Sequence, residues 1–222
     1  MPRTRIKICG ITRRQDALAA AHAGADAIGV VLHANSKRRI TLDQAHEILG
    51  GLPPFVSAIG LFVDAPPELI REAAAKLPLT AVQLHGRESA QMVAALTPLN
   101  VIKVIHVNAN TLGDELRQWK ESRLPNLSGL LLDTAAGGGS GIANDFDAIE
   151  SRLSQINRAD CPPIILAGGL TPLTVGQIIR RLRPWAVDVS SGVETRPGEK
   201  SAALIHEFVA AVRDAEAAGA SS

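Results

Sequence analysis

Lys7-Ile8-Cys9-Gly10-Ile11-Thr12 sets a short apolar run, a thiol and a glycine turn in immediate succession, with a helix-forming segment behind them. The design returns along the chain as AIGVVL (27–32), SAIGLFV (57–63), AVQLHG (81–86), VIKVIHV (101–107), GLLLDT (129–134), PIILAGGL (163–170) and AVDVSS (186–191). Each run is brief, rich in branched residues and closed by polar or glycine residues. Strands buried on both faces read this way, because crossover helices cover a parallel sheet on each side. Helical segments are expected at 14–24, 42–51, 67–77, 88–96, 109–122, 145–157, 173–182 and 200–216. Thr41, Ser89 and Thr171 are cap-type residues, and Pro66, Pro67 and Pro172 suit a first turn. Gly24, Gly50 and Gly51 offer left-handed stops. Eight strand–helix units in 222 residues predict a single (β/α)8 TIM barrel over 1–222, a closed parallel sheet with outer helices and a frayed tail at 215–222. The competing open doubly wound sheet lacks its GxGxxG after the first strand.

Bulk properties narrow the function. Basic and acidic residues nearly balance, 23 against 22, with no long run of either sign, so neither nucleic acid nor an anionic membrane surface is an expected partner. Aromatic residues make up 3% of the chain, too few for stacking platforms on single-stranded nucleic acid. Only Cys9 and Cys161 are present, and no apolar stretch of about 18 residues or signal-like start is seen, which reads as a reduced, cytoplasmic protein. A small molecule is the expected partner. A monomer is preferred, with a homodimer left open.

In a barrel of this kind, reactive groups gather where strands end and βα loops begin. Those ends carry Cys9, residues 35–39, Asp64, Gln83 and His85, His106, Asp133, Gly168 and Gly169, and 188–192. Cys9 and Asp133 can act as base and acid: a thiol needs a modest lowering from about 8.5 to give a thiolate, and a partly buried carboxyl can deliver a proton. Cys9 as a small buried hydrophobe is the competing reading. The loops around Gly168-Gly169 and Ser190-Ser191-Gly192 can turn backbone amides toward a phosphate, the usual arrangement after strands 7 and 8. Gly137-Gly138-Gly139-Ser140-Gly141 reads as a loop that closes over substrate or contacts its phosphate, Gly139 and Gly141 included. The histidines (His22, His33, His46, His85, His106 and His206) are scattered without a close cluster with cysteine or carboxylate, so no metal and no cofactor is expected. Lys103, in the middle of VIKVIHV, is expected inside the barrel as a satisfied amine.

KICGIT (7–12), SKRRI (36–40), VQLHG (82–86), LLLDT (130–134), GGGSG (137–141), LAGGL (166–170) and VDVSSGVE (187–194), in this order, resemble the phosphoribosylanthranilate isomerase family of tryptophan biosynthesis. The likeness runs from Ile6 to about Val212. It implies an eightfold barrel catalysing, without cofactor, the Amadori rearrangement of N-(5-phosphoribosyl)anthranilate. Asp133 would be the general acid and Cys9 the general base, with Arg38 holding the anthranilate carboxylate and Asp188 near the reacting centre. Gln83 and His85 match the family pattern with no role assigned. The chain departs from the pattern where Leu32-His33 replaces a phenylalanine-rich strand end, Lys37 a proline, Ala148 a tryptophan and Ser201 an aspartate; the last puts only a local cap or charge in question. The alternatives are another phosphosugar barrel enzyme, such as an indole-glycerol-phosphate synthase, and a non-catalytic phosphosugar-binding barrel.

Overall fold

The computed structural model describes residues 3–134 and 142–220. Eight strands, β1 (Arg5–Ile8), β2 (Ala27–His33), β3 (Ser57–Phe62), β4 (Ala81–Leu84), β5 (Val101–His106), β6 (Leu127–Asp133), β7 (Ile164–Ala167) and β8 (Ala186–Val189), pair in chain order and close into one barrel. The ring is sealed by parallel pairing of β1 with β8, Lys7 opposite Asp188 and Ile8 opposite Val189. The helices between and after them are α1 (Arg14–Ala23), α2 (Leu42–Leu49), α3 (Pro67–Lys76), α4 (Ala90–Ala95), α5 (Leu112–Glu121), α6 (Ile142–Leu153), α7 (Val175–Leu182) and α8 (Ala202–Ala220). The predicted barrel is therefore the observed one.

Strand alternation divides the core in two. Ile6, Ile8, Leu84, Ile105, Leu132 and Val187 point outward and pack under the helices with the fully buried Phe62, Phe146 and Phe208. Ile59, Ile102, Val104, Leu131, Ile165 and Ala186 point inward and fill the barrel. Burying each such side chain is worth about 1.5–3 kcal/mol, so the two layers carry the fold. The same parity sends Lys7, Cys9, Gln83, His85, His106, Asp133 and Asp188 to the interior, stacked toward the strands' carboxyl ends.

Several local expectations are corrected. Lys103 has the opposite parity to Ile102 and Val104, so it lies in the sheet–helix layer and not inside the barrel, although its amine is satisfied as expected. The Thr41 side chain accepts from the Gln44 amide in a capping box, and Ser89 accepts from the Met92 amide. Thr171 does not cap α7: Thr174 occupies the N-cap, and its hydroxyl accepts from the Thr171 amide at 3.0 Å. Gly24 is left-handed, φ 98°, but Gly50 keeps a right-handed helical geometry, φ −64°, and Gly51 is not left-handed either. A two-stranded hairpin, β9 (Glu194–Arg196) and β10 (Glu199–Lys200), precedes α8, so Lys200 ends a strand where a helix start was expected. Of the tail expected to fray, 215–220 is helical with Ala215 buried, and residues 221 and 222 lie outside the described residues.

Candidate active site

Cys9 follows β1 directly and stays in the ladder, its amide donating to Val189 O at 2.8 Å. Its thiol is buried against Val31 and Leu61. Burial pushes the thiol up from its ordinary range; Lys7 beside it pulls the other way, and Asp188 adds to the rise. Lys7, also interior, donates from Nζ to Asp188 Oδ2 at 2.9 Å. Burial works against the charge on Lys7, yet Asp188 and, after it, Cys9 together outweigh it and hold the ammonium above its usual range.

Asp133 ends β6, three strands around the ring from β1 by way of β7 and β8. A side-chain relay reaches it from β4. Gln83 Nε2 lies 3.1 Å from His85 Nδ1, and His85 Nε2 lies 3.1 Å from Asp133 Oδ2. With the Gln83 amide donating, the neutral imidazole carries its proton on Nε2 and donates to the carboxylate. His106 of β5 tilts against His85, their ring centroids 5.2 Å apart, and uses Nε2 toward His85 O at 3.2 Å. The expectation that no histidine–carboxylate cluster forms is corrected in three dimensions: His85, His106 and Asp133 each offer a ligand atom within 4.8 Å of the others. Residues on β4, β5 and β6 meet here because the barrel brings neighbouring strand ends together, which sequence separation hides.

The small-residue loops after β7 and β8 lie side by side at the strand ends. Gly168 and Gly169 both hold positive φ, 92° and 66°, a conformation that disfavours a Cβ. Ser190 leads into a single 3-10 turn, Ser191–Val193. At Gly192 a Cβ would fall 1.9 Å from Leu170 O, so the β7 and β8 loops are pressed together only because a side chain is missing. Thr134 Oγ1 ties β6 to the Gly168 carbonyl at 2.9 Å. Gly139 and Gly141 lie outside the described residues.

Arg38 reaches over from the loop after β2. Its Nε and Nη2 bind Glu194 Oε1 and Oε2 at 2.8 and 2.6 Å, a bidentate pair. Lys200 completes the group, donating to Glu194 Oε1 at 2.8 Å and to Ser190 O at 3.0 Å. Burial alone would raise the Glu194 carboxyl, but the Arg38 and Lys200 hydrogen bonds outweigh it and bring it down to about 2. Burial lowers Lys200 against the pull of Glu194.

One cavity of about 320 Å³ joins these parts, lined by Cys9, Arg38, Gln83, His85, Asp133 and Asp188 and by the loops holding Gly168, Gly169, Ser190, Ser191 and Gly192. All the proposed site residues within the described chain thus share one space. Sequence reasoning missed Lys7, Glu194 and Lys200, which support the lining from behind through Asp188, Arg38 and Ser190. The signal for Lys7 was its spacing of two from Cys9, which on a strand means the same face; Glu194 stood inside VDVSSGVE with no partner visible in sequence. Ser201, where the family pattern has aspartate, serves as the local cap: Leu204 N donates to its hydroxyl at 3.3 Å.

A closed eight-stranded barrel whose strand ends bring a thiol, a carboxylate and two glycine–serine loops around one cavity defines an enzyme of the (β/α)8-barrel class. A family model described as N-(5'phosphoribosyl)anthranilate (PRA) isomerase matches residues 6–211. The N-(5'-phosphoribosyl)anthranilate isomerase of Pseudomonas aeruginosa (strain LESB58) is 43% identical over 216 residues, covering 96% of this chain and 97% of that one. Among solved structures, phosphoribosyl anthranilate isomerase from Thermotoga maritima superposes with a TM-score of 0.83 at 38% identity, covering 95% of this chain and 99% of the other. A phosphoribosyl anthranilate isomerase in complex with reduced 1-(o-carboxyphenylamino)-1-deoxyribulose 5-phosphate gives a TM-score of 0.81 at 37% identity, with the same coverage. This chain belongs to the N-(5'-phosphoribosyl)anthranilate isomerase family.

Proposed function

We propose that the chain converts N-(5'-phosphoribosyl)anthranilate to 1-(2-carboxyphenylamino)-1-deoxyribulose 5-phosphate, the third stage of tryptophan synthesis from chorismate, by proton transfer alone. The observation that carries this reading is the single cavity onto which Cys9, Asp133 and the two glycine–serine loops all open.

Asp133 protonates the furanose ring oxygen, the bond from that oxygen to the anomeric carbon breaks, and a cationic imine forms. The cation acidifies the hydrogen on the neighbouring sugar carbon. Cys9 as thiolate removes it, and the resulting enolamine tautomerises to the ketone. Each positioned transfer contributes roughly 10²–10⁴ in rate. Once Asp133 has given up its proton, the Nε2 hydrogen of His85, 3.1 Å away, stabilises the carboxylate left behind. The phosphate sits against backbone amides of the loops containing Gly168, Gly169, Ser191 and Gly192. Arg38, steadied by Glu194, turns its remaining donors to the anthranilate carboxylate. Every one of these residues comes from one chain, which supports a monomer as the sufficient catalytic unit. Among the described residues no helix is long and apolar enough to cross a membrane, and we place the enzyme in the cytoplasm.

The test is loss of the fluorescent substrate on adding purified protein. Cys9→Ala and Asp133→Asn are each expected to lower turnover by at least about a hundredfold with folding unchanged. Near-wild-type turnover in either variant rejects that residue's role. A wild-type protein that binds phosphosugar but leaves the substrate untouched is a binding barrel instead.

A further inference from the structure

Lys7 is a buried cation that neither proton transfer uses, and it stands beside the proposed base. Its side chain is 6% exposed and that of its partner Asp188 is 7%. Strand alternation puts Lys7 and Cys9 on the same interior face of the barrel. Opposite them on β2 is Gly29, where a Cβ would lie 2.9 Å from Cys9 Sγ and 3.0 Å from both Cε and Nζ of Lys7. The thiol and the ammonium therefore share the small space left by one absent side chain. They are no more than about 6 Å apart, inside the range over which one charge alters another's ionisation. The remaining wall around Cys9 is apolar, Val31 and Leu61, which penalises a thiolate. A base in such a place needs a fixed positive neighbour.

We propose that Lys7, held against β8 by Asp188, is a positioning residue for the reaction: it makes the negative charge on Cys9 tolerable, so that the working base is a thiolate–ammonium pair. This rests on the assignment of Cys9 as base. The other charged groups facing Cys9 are Asp188 on β8, Lys200 at the end of β10, and Arg38 on the loop after β2, with Glu194 between the last two; His85 and Asp133 face it across the cavity. Burial raises Cys9, and Lys7 is the largest influence acting against that rise. Glu194 engages both Arg38 and Lys200, which leaves Lys7 as the cation aligned with the thiol along its own strand.

The experiment uses a Cys161→Ser background, so that Cys9 is the only thiol, and follows two readouts against pH: alkylation of Cys9 by uncharged iodoacetamide, and kcat/KM of the isomerase. Lys7→Met is expected to move both profiles upward by about one pH unit or more, which corresponds to a roughly tenfold slower alkylation at neutral pH. Lys7→Arg restores most of that loss. The double variant Lys7→Met with Asp188→Asn removes both buried charges together, keeps the fold where the single variant strands a carboxylate, and still moves the alkylation profile upward, by less. Superimposable alkylation profiles for the background and the double variant overturn the proposal. Alkylation is read without substrate, so a protein lacking isomerase turnover rejects the functional reading and leaves this test standing on its own.

Discussion

Two buried lysine–carboxylate pairs lie on opposite sides of the same sheet. Lys7 and Asp188 meet inside the barrel at 2.9 Å, and Lys103 and Glu88 meet outside it, under the helices, at 2.8 Å. The outer pair is saturated. Lys103 Nζ also donates to Gly86 O and Leu84 O, and Glu88 accepts from the amides of Asp64 and Gly86. The inner pair is not: among the described residues Asp188 Oδ1 is buried with no hydrogen-bond partner, and Lys7 faces a thiol. A fully satisfied ion pair locks a loop in place, whereas one with spare capacity is placed for a group that changes charge.

Lys103→Met should have the largest effect on stability. It leaves the Glu88 carboxylate buried without its cation, so a loss of about 3–5 kcal/mol in unfolding free energy is expected, read by urea denaturation, while kcat/KM of the folded fraction stays within about threefold. A catalytic collapse with unchanged stability would reverse the assignment of the two pairs. Adding Glu88→Leu to that variant should recover only part of the loss, because the amides of Asp64 and Gly86 lose their acceptor and each orphaned donor costs about 1–3 kcal/mol. Full recovery would mean the carboxylate's backbone contacts contribute little.

Gly29→Ala probes the inner pair by steric means. Its new methyl meets Cys9 Sγ and Lys7 Nζ near 3 Å. Displacement of these side chains should lower kcat/KM about tenfold and destabilise by about 1–3 kcal/mol. Unchanged kinetics would show that the thiol and ammonium need not share that space.

The smallest effect belongs to the Glu194 group. Because its carboxyl is lowered to about 2 from 4.5, the stability it supplies is complete above about pH 4.5 and is lost as pH falls toward 2. Glu194→Gln should flatten that part of the acid unfolding curve and weaken substrate binding, seen as a raised KM, because Arg38 loses its bidentate support. An identical acid limb in the variant would remove Glu194 from the account.

Much of this was legible in the sequence. Continuous apolar runs announced a two-sided parallel sheet, and eight of them, each followed by a helical segment and without the GxGxxG of an open doubly wound sheet, pointed to closure. Cys9, Asp133 and the two glycine loops were visible as strand ends. What stayed hidden depended on who faces whom. Lys7 and Lys103 look alike in KIC and VIKV, yet one residue of parity sends them to different sides. Glu194, 156 residues from Arg38, had no local sign of its partner. The left-handed helix stop expected at Gly50 failed because α2 leaves through a right-handed turn, its Gly50 amide still donating to His46 O at 2.9 Å.

Arg213 of α8 donates to Thr4 O at 3.0 Å, and Glu216 accepts from the Thr4 amide. The last helix thus grips the entry to the strand that carries the thiol. Shortening the protein before Arg213 would loosen the barrel at its first stave rather than trim an idle appendage, and the damage would surface at Cys9. A short peptide joining these neighbouring ends, with the chain reopened at a distant loop, should leave the same enzyme.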